Sequence, residues 1–118
     1  MAKILLAEDD GSLRGFLTRA LERAGHEVTA CENGDDAVDA LEDGPWDLLL
    51  TDIVMPGADG IEVARIAANR QPGLRIMFIT GFAAVALTAA QSAPQAKVLS
   101  KPVHLRDLVA EVERMVAA

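Results

Sequence analysis

Four short segments carry side chains able to do chemistry together. Glu8-Asp9-Asp10 follows the apolar run Lys3-Ile4-Leu5-Leu6-Ala7, and Asp52 follows Asp47-Leu48-Leu49-Leu50-Thr51. Thr80-Gly81 follows Arg75-Ile76-Met77-Phe78-Ile79, and Ser100-Lys101-Pro102 follows Lys97-Val98-Leu99. Taken singly, these residues are ordinary: an acid past a strand is usually a turn or cap, and a lysine before proline usually a loop lysine. Their shared placement, each just past an apolar run, is the informative feature. Gathered carboxylates repel and hold their protons more tightly unless a cation joins them. A hard divalent ion answers this, and Mg²⁺ takes one or two carboxylates while keeping room for water and phosphate oxygens. Asp52 is the central acid. A carboxylate can act as a nucleophile and become an aspartyl-phosphate. Mg²⁺ and Lys101 would neutralise the charge developing on the transferred oxygens. Thr80 would donate a hydroxyl hydrogen bond to the new phosphoryl group, turning inward only when it is present, as in a two-state element biased by added charge.

Those segments need elements to bring them together. Residues 3–7 read as a strand covered on both faces. From Ser12 the period changes: Leu13, Phe16, Leu17, Ala20, Leu21 and Ala24 make the stripe of an amphipathic helix, and Gly25 stands where a terminating glycine belongs. Glu27-Val28-Thr29-Ala30 is a weak second strand. Asn33 caps a helix from Gly34 to Asp43 that buries Ala37, Val38 and Leu41, and Gly44-Pro45 ends it. Residues 47–51 are the clearest central strand, and Met55-Pro56-Gly57 breaks it into a loop. Asp59-Gly60-Ile61-Glu62 has capping-box spacing and opens a third helix that stops near Gln71-Pro72-Gly73. Residues 75–79 form a fourth strand, Ala83–Ala93 an alanine-rich helix with a poorly marked face, and residues 97–99 a short fifth strand. A last helix carries Leu105, Leu108, Val109, Val112, Met115 and Val116 on one stripe. Five such units predict an α/β fold: a doubly wound, five-stranded parallel sheet of order 2-1-3-4-5 with five helices, flavodoxin-like in topology. Ligands bind beyond the carboxyl ends of such strands, where all four segments lie.

Composition bounds the rest. The chain has 118 residues, a size for one domain spanning 1–118, and 51% of them are hydrophobic, which excludes a disordered chain. A net charge of −7 argues against non-specific nucleic-acid binding. One cysteine, Cys31, excludes a disulfide framework and suggests a reducing compartment. Without a membrane-length apolar run or a signal-peptide pattern, the expectation is a soluble, cytoplasmic protein with no membrane partner. His26, after Gly25, is expected to face solvent, and His104 to sit near the start of the last helix. Neither is a phosphotransfer histidine. Trp46 stands six residues before Asp52, roughly 20 Å along an extended strand, and reads as packing at the far end of the sheet.

The whole chain resembles a response-regulator receiver domain of the CheY-like superfamily. Ile4 to Asp10 resembles the family's acidic opening, and Leu48 to Gly57 with Asp59-Gly60 its phosphoacceptor segment. Thr80-Gly81 and Lys101-Pro102 resemble its switch hydroxyl and its lysine, the latter commonly followed by a cis proline. The resemblance implies phosphorylation of Asp52 by a histidine kinase or a histidine phosphotransfer protein. It further implies that Mg²⁺ is held by Asp9 and Asp52, by the backbone carbonyl of Val54, and by Glu8 through water. Counting back from Leu13-Arg14, by the family's spacing, selects Glu8 and Asp9 as the functional pair and leaves Asp10 as a helix N-cap or a solvated acid. Thr80 and Lys101 are then the switch and phosphoryl-stabilising residues, and the output surface is that of the fourth helix, fifth strand and fifth helix. No DNA-binding output module and no turnover catalysis are expected. The downstream target is a protein, such as a relay partner or, as in single-domain regulators that act as adaptors for ATP-dependent proteolysis, a protease.

Three departures from the common pattern stand out: Gly81 where alanine or serine is frequent, Val98 where many members have an aromatic, and no Tyr anywhere. The resemblance therefore does not carry the aromatic half of the switch onto this chain. Three alternative readings remain. A receiver excised from a hybrid histidine kinase would look the same. An aspartate-nucleophile phosphatase wants an acid two residues after the nucleophile, where Val54 stands. A flavodoxin-like electron carrier wants a Ser/Thr- and Gly-rich phosphate loop and flanking aromatics; the acidic loop and the lack of Tyr oppose it.

Overall fold

A computed structural model of the chain describes residues 1–92 and 96–117. Strands and helices alternate as the periodicity predicts: β1 Lys3–Ala7, α1 Gly11–Arg23, β2 Glu27–Cys31, α2 Gly34–Ala40, β3 Leu48–Asp52, α3 Gly60–Arg70, β4 Arg75–Thr80, α4 Ala83–Ser92, β5 Lys97–Ser100 and α5 Leu105–Ala117. The expected last residue of the fourth helix, Ala93, lies outside the described residues. The expected second helix divides: α2 stops at Ala40 and the chain tightens into a 3-10 turn at Leu41–Asp43 before the cis Gly44–Pro45 bond.

All strands are parallel, in the order β2-β1-β3-β4-β5. The alternation of side chains along each strand divides the core in two. Leu5, Leu49, Ile76 and Phe78 pack with Ala37, Val63, Ala67 and Ala89 of α2, α3 and α4. Ile4, Leu6, Leu50, Met77 and Ile79 pack with Leu17 and Leu21 of α1 and Leu108 and Val112 of α5. The central strands are therefore apolar on both faces, as a doubly covered sheet requires.

Side-chain caps begin three helices where the sequence places them. Asp10 accepts from Leu13 N–H at 3.1 Å, Asn33 from Asp36 N–H at 2.7 Å, and Asp59 from Glu62 N–H at 2.9 Å. Each satisfies an N–H that the helix itself cannot. Asp10 is thus spent on α1, as expected.

Two expectations about α1 fail. Phe16 is exposed rather than on the buried stripe, with the Arg19 guanidinium 5.2 Å from its ring centre. The buried seam is Leu17 and Leu21, and Phe16 lies about 100° around the helix from Leu17, beyond the edge of that seam. Ala24 is exposed as well, because it is the cap residue beyond the last turn. His26 does not face solvent: it is buried. Gly25 adopts φ 98°, and its N–H and that of His26 return to the carbonyls of Glu22 and Leu21. This closing motif turns the residue after the glycine back against the helix, so it drives His26 inward. There His26 Nδ1 accepts from Ala2 N–H at 3.0 Å, and Nε2 meets Glu113 Oε1 of α5.

Candidate phosphoacceptor and metal site

The carboxyl ends of β1, β3, β4 and β5 form one rim. Ala7 pairs with Thr51, Asp52 with Ile79, and Thr80 with Ser100, so the residues just past each pairing are neighbours. Glu8, Asp9 and Asp52 each place a carboxylate oxygen within 4.8 Å of the others. Glu8 and Asp52 are buried, and Asp9 is exposed. Lys101 reaches across the rim, its Nζ 2.9 Å from Asp52 Oδ2 and 3.1 Å from Glu8 Oε1.

The backbone holds these acids in place. Ile53 N–H donates to Asp52 Oδ1 at 2.8 Å, and Asp10 N–H to Glu8 Oε2 at 3.0 Å. Arg14 Nη1 donates to the Glu8 carbonyl at 2.9 Å, tying α1 to the acidic turn. The remaining oxygen, Glu8 Oε1, is buried with the ammonium close by but not aligned for a hydrogen bond. Burial is the main reason the Glu8 carboxyl is pushed up to about 7; the Asp10 N–H opposes the rise, the Asp52 charge adds to it, and Lys101 opposes it. For Lys101, burial works against the ammonium, but its hydrogen bond to Asp52 and the nearby Glu8 carboxylate outweigh that and hold its pKa above the ordinary lysine value.

The donor set suits a hard divalent cation. Three carboxylates converge, one with a buried oxygen that lacks a hydrogen-bond donor, and oxygen-only ligands with open positions are what Mg²⁺ takes. Val54 is exposed on the loop after β3, and its neighbour Ile53 is pinned by Gly60 N–H donating to the Ile53 carbonyl at 2.7 Å.

Thr80 is buried at the end of β4, where its Oγ1 accepts from Phe82 N–H at 3.2 Å, and Lys101 N–H donates to the Thr80 carbonyl at 2.8 Å. A methyl at Gly81 would stand 3.8 Å from Lys101 Cβ, an ordinary contact, and Gly81 does not have a positive φ. The glycine there is not a steric necessity. Val98 is half-buried against the core face that includes Phe78, and Phe82 is exposed. The Lys101–Pro102 bond is cis. Five of the expected site residues, Glu8, Asp9, Asp52, Thr80 and Lys101, lie at one rim, and Val54 stands on the loop after β3. Trp46 is buried at the opposite, amino end of β3, and His104 is exposed just before α5. One support escaped the sequence pattern: the first turn of α2 grips the loop after β3. Those partners lie more than twenty positions apart in the chain, and no spacing rule links them.

The chain belongs to the response regulator receiver family: the family model for the response regulator receiver domain matches residues 4–113. Over 119 aligned positions it is 60% identical to the response regulator receiver protein CpdR of Brucella abortus (strain 2308), covering 100% of this chain and 99% of that protein. It is 38% identical over 117 residues to the DNA-binding transcriptional regulator NtrC of Escherichia coli (strain K12), where 97% of this chain spans only 24% of the relative. Among solved structures, a response regulator receiver protein from Sinorhizobium medicae WSM419 superposes with TM-score 0.90 at 34% identity, covering 99% of this chain and 95% of that one. No helix among the described residues is long and apolar enough to cross a membrane.

Proposed function

We propose that this receiver is a phosphoacceptor switch in which Asp52 takes a phosphoryl group from a histidine kinase or histidine phosphotransfer protein. One observation carries the reading: the Lys101 ammonium lies 2.9 Å from an Asp52 carboxylate that shares its pocket with Glu8 and Asp9. A carboxylate oxygen of Asp52 forms the new O–P bond as the N–P bond of the donor phosphohistidine breaks. The imidazole leaves with the electron pair and takes up a proton. Asp9, Asp52 and the Val54 carbonyl, with Glu8 through water, would hold Mg²⁺, which when bound would supply charge neutralisation to the phosphoryl oxygens. Lys101 does the same from the other side of the rim. The protein is a switch rather than a turnover enzyme, and the position of Val54 where a phosphatase would want an acid supports that.

The phosphoryl group adds about −1.5 to −2 of charge to the rim. The Thr80 hydroxyl leaves Phe82 N–H and donates to a phosphoryl oxygen. Phe82 stands at the start of α4, where its carbonyl accepts from Ala86 N–H at 2.9 Å, so the move of Thr80 reaches that helix through two hydrogen bonds, one to the Thr80 hydroxyl and one along the backbone. The output surface is that of α4, β5 and α5, and the target a cytoplasmic protein, either a relay partner or a protease for which the receiver acts as adaptor. Incubation with Mg²⁺ and a small acyl phosphate should add one base-labile phosphoryl group, read by intact mass. Asp52→Asn should abolish it. Labelling of that variant to the wild-type extent would overturn the assignment.

A further inference from the structure

The loop between β3 and α3 carries Val54 and is fastened on both sides of it. Upstream, Ile53 N–H is held by Asp52 Oδ1, and the Ile53 carbonyl by Gly60 N–H. Downstream, the fastening comes from another part of the molecule, the first turn of α2. Gly34 N–H donates to the Pro56 carbonyl at 3.2 Å, and Ala58 N–H donates to Asp35 Oδ1 at 3.1 Å. The approach is close enough to exclude side-chain atoms at both contacts. A methyl on Gly34 would lie 1.6 Å from the Ala58 carbonyl oxygen. One on Gly57, which sits at φ +76°, would lie 2.6 Å from an Asp35 oxygen.

We infer that Asp35 is a positioning residue for the phosphoacceptor site: by holding the Ala58 amide it fixes the loop that presents the Val54 carbonyl to the metal. Asp35 lies outside the carboxylate cluster and touches none of the reacting groups, so its influence runs through the loop backbone. A ligand held by one backbone carbonyl is only as well placed as that backbone, and partners that orient a ligand tune metal affinity without touching the metal. The metal half of this inference rests on the phosphoacceptor reading. The loop half stands on the hydrogen bonds alone.

The test uses the full chain and two variants, Asp35→Ala and Asp35→Asn. Asn keeps a neutral acceptor for Ala58 N–H, and Ala removes it. Amide exchange of Ala58 and Mg²⁺-dependent amide shifts are followed by NMR, with thermal melts in EDTA. In Asp35→Ala, Ala58 exchange should rise by about tenfold or more, and the Mg²⁺ dissociation constant by about three- to tenfold. Asp35→Asn should return both to within about twofold of wild type. Wild-type Mg²⁺ affinity in Asp35→Ala, or an Asn variant as weak as the Ala variant, would overturn the positioning role; the latter result would point to bulk charge instead. If wild type shows no Mg²⁺-dependent shifts, the phosphoacceptor reading fails. Ala58 exchange then decides the loop support by itself, and unchanged exchange in Asp35→Ala overturns it.

Discussion

Asp9→Asn should make the metal-free protein more stable and the magnesium-loaded protein relatively less so. Asp9 is exposed, and its carboxylate oxygen lies within 4.8 Å of oxygens of both Glu8 and Asp52. At that separation a like-charge pair costs about 0.9 kcal/mol in water and about 3.5 kcal/mol at an effective dielectric of about 20. Exposure puts Asp9 near the lower figure. At pH 8, above the value of about 7 for Glu8, that carboxyl is ionised. The Lys101 ammonium offsets roughly one of the two repulsions, leaving about 1 kcal/mol. Asp9 also precedes the amino end of α1, where its charge gains about 0.3 kcal/mol from the helix dipole. Asn keeps the shape of the side chain and loses both effects. The net gain in EDTA is about 0.5 to 1 kcal/mol, a rise in Tm of about 2–5 °C for a chain of this size. With magnesium the order changes. A site with a Kd of about 1 mM adds about 1.4 kcal/mol at about 10 mM ion, by mass action on the folded state. Wild type gains that amount, and the variant, having lost a ligand, gains little. Thermal melts at pH 8 in EDTA and in magnesium make the comparison. A variant that melts below wild type in EDTA, or that gains as much from magnesium, would refute the account of the pocket as a repulsive cluster completed by a cation.

Other perturbations test neighbouring parts of the structure. Glu8 carries a folded-state pKa of about 7 against an ordinary 4.5, so between those values the folded protein holds a proton that the unfolded chain has released. Its contribution to metal-free stability should therefore fall as pH rises from 5 to 8, and urea unfolding should show wild type losing stability relative to Glu8→Gln, which keeps a neutral side chain, toward high pH. Lys101→Ala leaves two buried carboxylates facing one another, and should slow acyl-phosphate labelling of Asp52 by about tenfold or more, measured by mass spectrometry over time. Gly34→Ala forces a methyl to within 1.6 Å of the Ala58 oxygen and should lower stability by about 1–3 kcal/mol in urea unfolding. Magnesium titration should leave the Trp46 emission unchanged, because that ring is buried at the amino end of β3.

What the sequence settled by itself was local and periodic. Apolar runs and helical stripes located each strand and helix, and Asp10, Asn33 and Asp59 marked helix starts because a capping side chain acts within three residues of its own position. The parallel α/β rules then put Glu8, Asp9, Asp52, Thr80 and Lys101 on one rim, since side chains past strand ends must meet when the strands lie side by side. Tertiary structure alone decided how they meet. The bond between Lys101 and Asp52 joins positions 49 residues apart. The burial that raises Glu8 comes from the packing around it rather than from its own segment. His26 turned inward with the closing motif at Gly25 and found its partner Glu113 on α5, and Phe16 turned outward because the buried face of α1 runs along Leu17 and Leu21. The grip of Gly34 and Asp35 on the loop after β3 left no trace in periodicity, because it depends on two backbones approaching closely, and side-chain patterns do not encode that distance.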